Sequence, residues 1–128
     1  MSPALTDPNL GKTLDGRYRL DHLLALGGMS RIYRSMDKRL HRAVVVKILN
    51  DNFASESTVR ERFESEAVIA ANITHPNVVS IRDHNVSDNL VYLVMEFVRG
   101  RNLEQVIEER GRFTPRQALS VLEQICRG

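Results

Sequence analysis

The 128-residue sequence predicts an α+β fold. Three observations predict it. Two strand candidates flank a Gly-Gly break near the N-terminal end. A β-branched run, Val44 to Leu49, follows them. An amphipathic helix then separates that run from two more strand candidates. Five strand candidates with one inserted helix and a helical tail make up the pattern.

The elements follow in order. Residues 1–16 carry Pro3, Pro8 and Gly11 with few large apolar side chains, and read as a flexible leader. Tyr18-Arg19-Leu20 and Leu23-Leu24 suggest a first strand. Gly27-Gly28 breaks it before Ile32-Tyr33, a second. Val44-Val45-Val46-Lys47-Ile48-Leu49 reads as a buried third strand with one lysine inside it. Thr58 with Glu61 three residues on forms a capping box, so a helix is expected to start there. Its stripe is Val59, Phe63, Glu66, Ala70 and Ile73, and His75-Pro76-Asn77 ends it. Val78 to Arg82 and Val91 to Met95 are the last strands, joined by a hairpin loop from Asp83 to Asn89. Leu103, Val106 and Ile107 outline a short helix ending at Gly111. Thr114-Pro115 with Gln117 caps a final one, whose stripe is Ala118, Val121, Leu122 and Ile125. Left uncovered, that stripe would invite aggregation or a partner.

Composition narrows the function. At 42% hydrophobic and 27% charged, the chain is expected to be soluble and globular. No apolar run approaches the roughly 18 residues that cross a bilayer. Met1 to Asp15 lacks the basic start and apolar stretch of a signal peptide. The single cysteine, Cys126, cannot build a disulfide framework, so a reducing, cytoplasmic setting is expected. At helical spacing it reads as a small apolar packer. A net charge of +2 and a pI near 9.0 hint at nucleic acid. The basic residues lie scattered among 16 acids, without a Lys/Arg block or interleaved aromatics, so no nucleic-acid binding and no steep salt dependence is expected.

Two charges stand where apolar residues belong. Lys47 interrupts a β-branched run and Glu66 lies on the apolar stripe of the next helix. A buried unpaired charge costs several kcal/mol, so each needs a partner. One solution is that they pair with each other, 19 residues apart. The other keeps Lys47 at a strand end, reaching water, with Glu66 on a solvated helix edge. The turn from Leu24 to Tyr33 bears on the choice. Its Gly27-Gly28 lets backbone N–H groups approach phosphate oxygens closely. It lacks the Gly-Lys-Ser/Thr of a Walker loop and opens no helix as a dinucleotide fingerprint does. It fits a phosphate-covering hairpin with a strand lysine 20 residues beyond Gly27.

In this order and spacing the elements resemble the N-terminal lobe of protein kinases, which carry G-x-G-x-x-G-x-V, then V-A-I-K, then a helix Glu. Here these read Ala25-Leu26-Gly27-Gly28-Met29-Ser30-Arg31-Ile32, then Val44-Val45-Val46-Lys47, then Glu66 within Arg62-Phe63-Glu64-Ser65-Glu66-Ala67. His75-Pro76-Asn77-Val78-Val79 and Tyr92-Leu93-Val94-Met95-Glu96-Phe97-Val98 resemble the segments before the fourth strand and through the hinge. The wording is most similar to bacterial eukaryotic-like (Hanks-type) serine/threonine kinases, from about Arg17 to the last residue. The resemblance implies a five-stranded antiparallel sheet plus αC helix over residues 17–98, hinge included, and the start of a helical C-lobe over residues 99–128. It implies that Lys47 holds the α- and β-phosphates of ATP and that Glu66 orients it through an ion pair. The Gly27, Gly28, Met29, Ser30 turn would cover the phosphates. Leu24, Ile32 and Val45 would sandwich the adenine, with Met95 as gatekeeper. The backbone of Glu96 and Val98 would bond the purine edge. The partners implied are ATP, a protein substrate and, as in the bacterial family, a back-to-back N-lobe homodimer.

The sequence departs from the family at four points. Ala25 stands at the first glycine of the loop and Ser30 at the third. If position 25 needs φ > 0, the added Cβ is unfavourable. Val45 replaces the alanine expected over the adenine and should narrow the purine slot. Neither a His-Arg-Asp loop nor an Asp-Phe-Gly occurs in the 128 residues. Those motifs carry the catalytic base and the magnesium ligands, so no metal ligand is expected here, and this chain alone is expected to transfer no phosphate. The alternative is a pseudokinase-like or dimerisation module without catalysis. Tyrosine specificity stays open, because the substrate-reading loops lie beyond these residues.

Overall fold

The computed structural model describes residues 7–50, 56–87 and 89–128. The expectations for Met1 to Thr6 of the leader, and for Asp88 in the hairpin loop, lie outside the described residues. The chain divides into two units, Met1–Ile73 with Ser80–Phe97, and Thr74–Val79 with Val98–Gly128.

The first unit is built on a six-stranded sheet of order β1-β2-β3-β4-β6-β5. The strands are β1 (Thr13–Leu14), β2 (Tyr18–Leu26), β3 (Ser30–Asp37), β4 (Arg42–Leu49), β5 (Ile81–Ser87) and β6 (Leu90–Glu96), and α1 (Ser57–Ala71) lies between β4 and β5. Every pairing is antiparallel. The α+β class with an inserted helix is thus observed, with one strand more than the five expected.

Alternation along the strands gives the sheet two unlike faces. Val44, Val46 and Ile48 of β4 point into a closed core with Leu14, Tyr18, Leu20, Tyr33, Leu90, Tyr92 and Val94. Each such side chain contributes about 1.5–3 kcal/mol by leaving water. Three of these residues are tyrosines, and each finds an acceptor for its hydroxyl, as a buried phenol must. Tyr18 donates to Asp83 at 2.8 Å, Tyr33 to Asp7 at 2.7 Å, and Tyr92 to Asp15. Burial first, and the neighbouring carboxylates next, push all three phenols above their ordinary pKa, so they serve as neutral donors.

Residues 7–16 correct the leader expectation. They bend through a turn into β1, and Leu14 is 1% exposed. Asp7 also pairs with Arg31 at 3.1 Å. Leu14, with Leu10 packed beside it, and two carboxylate–tyrosine bonds help anchor the segment, so it docks with little apolar surface. Leu14→Ala should therefore lower unfolding stability by about 3 kcal/mol in a urea titration. A loss under about 0.5 kcal/mol would contradict its place in the core.

Two boundaries also move. The strand expected at Val78–Arg82 is Ile81–Ser87, so most of the expected hairpin loop is strand. β5 is the sheet edge, where His84 and Asn85 face water, and the apolar pair Val78-Val79 misplaced it. The helix starts at Ser57 after Glu56 without a side-chain cap, rather than at a Thr58 capping box, and ends at Ala71, capped by Asn72.

In the second unit, α2 (Leu103–Arg110) and α3 (Pro115–Arg127) carry full capping boxes, Asn102 with Gln105 and Thr114 with Gln117. Gly111 ends α2 at φ 77°, a left-handed value that favours glycine. Asn77 Nδ2 donates to the Gln124 carbonyl at 2.8 Å, tying the segment 74–79 to the last turns of α3. Of the α3 stripe, Ala118 and Val121 are half-buried, and Leu122 and Ile125 are exposed. Cys126 is an exposed free thiol rather than an apolar packer.

Candidate functional site

The other sheet face is less completely buried, and the strand register assembles it. Ile32 of β3 lies opposite Lys47 of β4, and Lys47 opposite Leu93 of β6. The next row is Arg34, Val45 and Met95. Directly opposed residues share a face with Cβ atoms about 5 Å apart. These two rows therefore set an apolar floor of Ile32, Val45 and Met95 beside one ammonium group. Leu93 is buried there, and the other three are half-buried.

β2 closes one side. Its register slips between Leu23 and Ala25, so Leu24 and Ala25 together span the place opposite Ile32. Leu24 is 51% exposed, which leaves it free to cover a ligand. Ala25 does not have positive φ, so its Cβ introduces no backbone strain. The concern raised by the missing first glycine is removed.

The turn itself is tight. Gly27 N–H donates to the Ser30 carbonyl at 2.8 Å. A Cβ on Gly27 would stand 3.1 Å from that same oxygen, so close approach is what glycine supplies here. A Cβ on Gly28 would meet nothing within 4 Å, Met29 is 45% exposed, and Ser30 is buried. Asn50, just beyond β4, donates from its backbone N–H to the Met29 carbonyl at 2.8 Å and from Nδ2 to the Gly28 carbonyl at 3.4 Å. The sequence carried no signal for Asn50, since it belongs to no motif.

Lys47 and Glu66 are not brought together. Lys47 Nζ stands 6.0 Å from the Phe63 ring centroid, at the limit of a cation–π contact. Among the described residues no carboxylate forms an ion pair with it. Glu66 pairs instead with Arg62 at 3.3 Å, with the two side chains 68% and 78% exposed. Glu66 is thus on the solvated side of α1, and Ala67 is the residue the helix buries. Periodicity misjudged the stripe because Phe63 and Ala67, four apart, define the inner face.

At the end of β6, the Glu96 N–H donates to the Ser80 carbonyl at 3.0 Å, and Glu96 Oε2 accepts from Ser80 Oγ at 3.2 Å. Arg34 lays its guanidinium 5.0 Å from the Phe97 ring centroid, a charge beside the Val45–Met95 row that motif reading missed. Val98 begins the second segment of the second unit and is 61% exposed. Among the described residues no three His, Cys, Asp or Glu side chains gather as a metal site. No helix among them is long and apolar enough to cross a membrane.

Comparison with known proteins gives one consistent result. A family model described as protein kinase domain matches residues 18–128. Serine/threonine-protein kinase PknA of Mycobacterium tuberculosis is 42% identical over 125 residues, which is 94% of this chain and 29% of that protein. Serine/threonine-protein kinase PrkC of Bacillus subtilis is 39% identical over 116 residues, 91% of this chain and 18% of that protein. The chain therefore spans under a third of the length of either. In three dimensions, the M. tuberculosis PknI kinase domain superposes with a TM-score of 0.75 at 22% identity, covering 90% of this chain and 46% of that one. That likeness is one of fold.

Proposed function

Because the chain belongs to the protein kinase domain family, we propose that this less buried sheet face is the ATP-binding portion of a serine/threonine protein kinase. The register that sets Ile32, Val45 and Met95 in rows beside Lys47, under the Gly27–Ser30 turn, is what supports it. An apolar slot ending in a cation and a turn whose Gly28 and Met29 N–H groups have no partner among the described residues suits a flat purine with a polyphosphate tail. In this reading Leu24, Ile32 and Val45 hold the adenine, and Met95 stands behind it. The Glu96 amide is engaged by Ser80, so the purine contact there falls to the Glu96 carbonyl, with the Val98 N–H beside it along the chain. Lys47 takes the α- and β-phosphates.

Glu66 orients Lys47 after one exchange of partners, leaving Arg62. An exposed i,i+4 pair is worth about 0.3–0.5 kcal/mol, so the exchange is easy. The chemistry of transfer needs a base and magnesium ligands that the present residues do not supply. The chain binds ATP and transfers nothing by itself. ATP-dependent phosphorylation by the 128-residue chain, abolished in Lys47→Ala, would refute this. The whole enzyme would carry the γ-phosphate to Ser or Thr of a protein substrate in a cytoplasmic setting.

Val45→Ala opens the slot by two methyl groups and should tighten ATP binding, by about twofold if half a methylene's worth of crowding is relieved. Calorimetric titration decides it; unchanged or weaker binding would move Val45 out of the slot.

A second reading is a pseudokinase-like or N-lobe dimerisation module, and the Glu66–Arg62 pair, which leaves Lys47 without a carboxylate among the described residues, favours it. Calorimetry separates the two, because a nucleotide-free module takes up no ATP. The homodimer itself is removed by light scattering that shows monomer alone across a wide concentration range.

A further inference from the structure

We propose that Asn50 is a positioning residue of the glycine turn, one that decides which peptide groups the turn offers to phosphate oxygens. The inference rests on the nucleotide-binding reading above. Two carbonyls at the tip, those of Gly28 and Met29, both accept from Asn50, one from its side chain and one from its backbone. No peptide bond in the described chain is cis. In a trans peptide the C=O and the following N–H point in opposite directions. Holding the Gly28 carbonyl toward Asn50 therefore turns the Met29 N–H away from it. Among the described residues the N–H groups of Gly28 and Met29 have no hydrogen-bond partner. A carbonyl oxygen presented to a phosphate repels it, whereas an N–H attracts it. Asn50 holds the repelling groups back and leaves the attracting ones free.

The two bonds can be separated. The backbone bond from Asn50 to Met29 continues the β3–β4 ladder by one step and survives any side chain at position 50. The bond to the Gly28 carbonyl belongs to the side chain alone. Asn50→Ala thus keeps the ladder and frees one carbonyl to rotate.

The test compares ATP with adenosine, which has the same base and sugar but no phosphate. Calorimetric titration of the 128-residue chain with both ligands, for wild type, Asn50→Ala and Asn50→Gln, reads the phosphate-dependent part directly. Asn50→Ala is expected to weaken ATP binding about threefold, the value of one exposed hydrogen bond, with adenosine binding and the thermal midpoint unchanged. Asn50→Gln keeps an amide donor and is expected to hold the ATP preference closer to wild type. If wild type prefers ATP and Asn50→Ala prefers it equally, the positioning role is wrong while the nucleotide reading stands. Equal losses for ATP and adenosine, or equal losses in the Ala and Gln variants, also overturn the role. If wild type binds neither ligand, the reading and the role fall together.

Discussion

Lys47→Met is expected to weaken ATP binding by roughly 10- to 100-fold while leaving adenosine binding within about twofold. A hydrogen bond to a charged group is worth about 1.5–3 kcal/mol, and each 1.4 kcal/mol is a factor of ten. Lys47 sits in the row between Ile32 and Leu93, and its ammonium stands 6.0 Å from the Phe63 ring centroid without a carboxylate partner among the described residues. Methionine keeps the length of the stem and the contact with Phe63, so the fold should tolerate it. Calorimetry with both ligands separates charge from packing. A parallel loss for ATP and adenosine would indicate damage to the slot. No loss for either would take Lys47 out of phosphate binding. Glu66→Gln should cost less, because Glu66 is paired with Arg62 in this state and touches no ligand in the proposed pose.

The second large effect is on stability and involves the far end of β3. Asp37 is 2% exposed and forms a bidentate pair with Arg17, Nε to Oδ1 at 3.0 Å and Nη2 to Oδ2 at 2.9 Å. It also accepts from the N–H groups of Arg39 at 3.0 Å and Leu40 at 3.2 Å, which shape the turn into β4. Removing one partner of such a pair leaves a charge without compensation. Asp37→Ala should therefore cost about 3 kcal/mol, a drop of roughly 10 °C or more in melting temperature.

The same carboxylate gives a pH signature. The Arg17 guanidinium, above all, holds its pKa at about 2 against an ordinary 3.8, and the Leu40 and Arg39 N–H groups add to it. A depressed folded-state pKa means that the folded form binds fewer protons than the unfolded form. The stabilisation is complete above the ordinary value and is lost as pH falls toward the folded one. Wild type should therefore lose stability between about pH 4 and pH 2, and Asp37→Ala should lose distinctly less over the same window. Parallel pH profiles for the two proteins would contradict the role given to Asp37.

Much of this site was legible in the sequence because its rows are spaced by strand alternation. Val45 and Lys47 are two apart on β4, so both face the same way, and Gly27-Gly28 marks the turn that ends β2. The capping box at Thr114 and the glycine stop at Gly111 marked the second unit's helices, since cap chemistry is local, while the Asn102 box went unread. What could not be read depends on contacts between distant residues. Asp7 meets Tyr33 and Asp15 meets Tyr92, and nothing local distinguishes these aspartates from solvated ones. The polar edge strand β5 shows no alternation because it has little to bury. The Lys47–Glu66 pairing was a question of which of two cations Glu66 chooses. Arg62, one turn away on the same helix, is always within reach, whereas Lys47 lies on a different element, strand β4.

The most direct test of the sheet-face account is a methyl NMR titration of the 128-residue chain with ATP, using Ile, Leu, Val and Met labelling. The two faces of β4 carry separate reporters one residue apart. The account predicts that the methyl signals of Leu24, Ile32, Val45 and Met95 shift and saturate together, while those of Val44, Val46 and Val94 in the closed core stay in place. Saturable shifts confined to the closed-core methyls, or no saturable shift at any methyl, would contradict it.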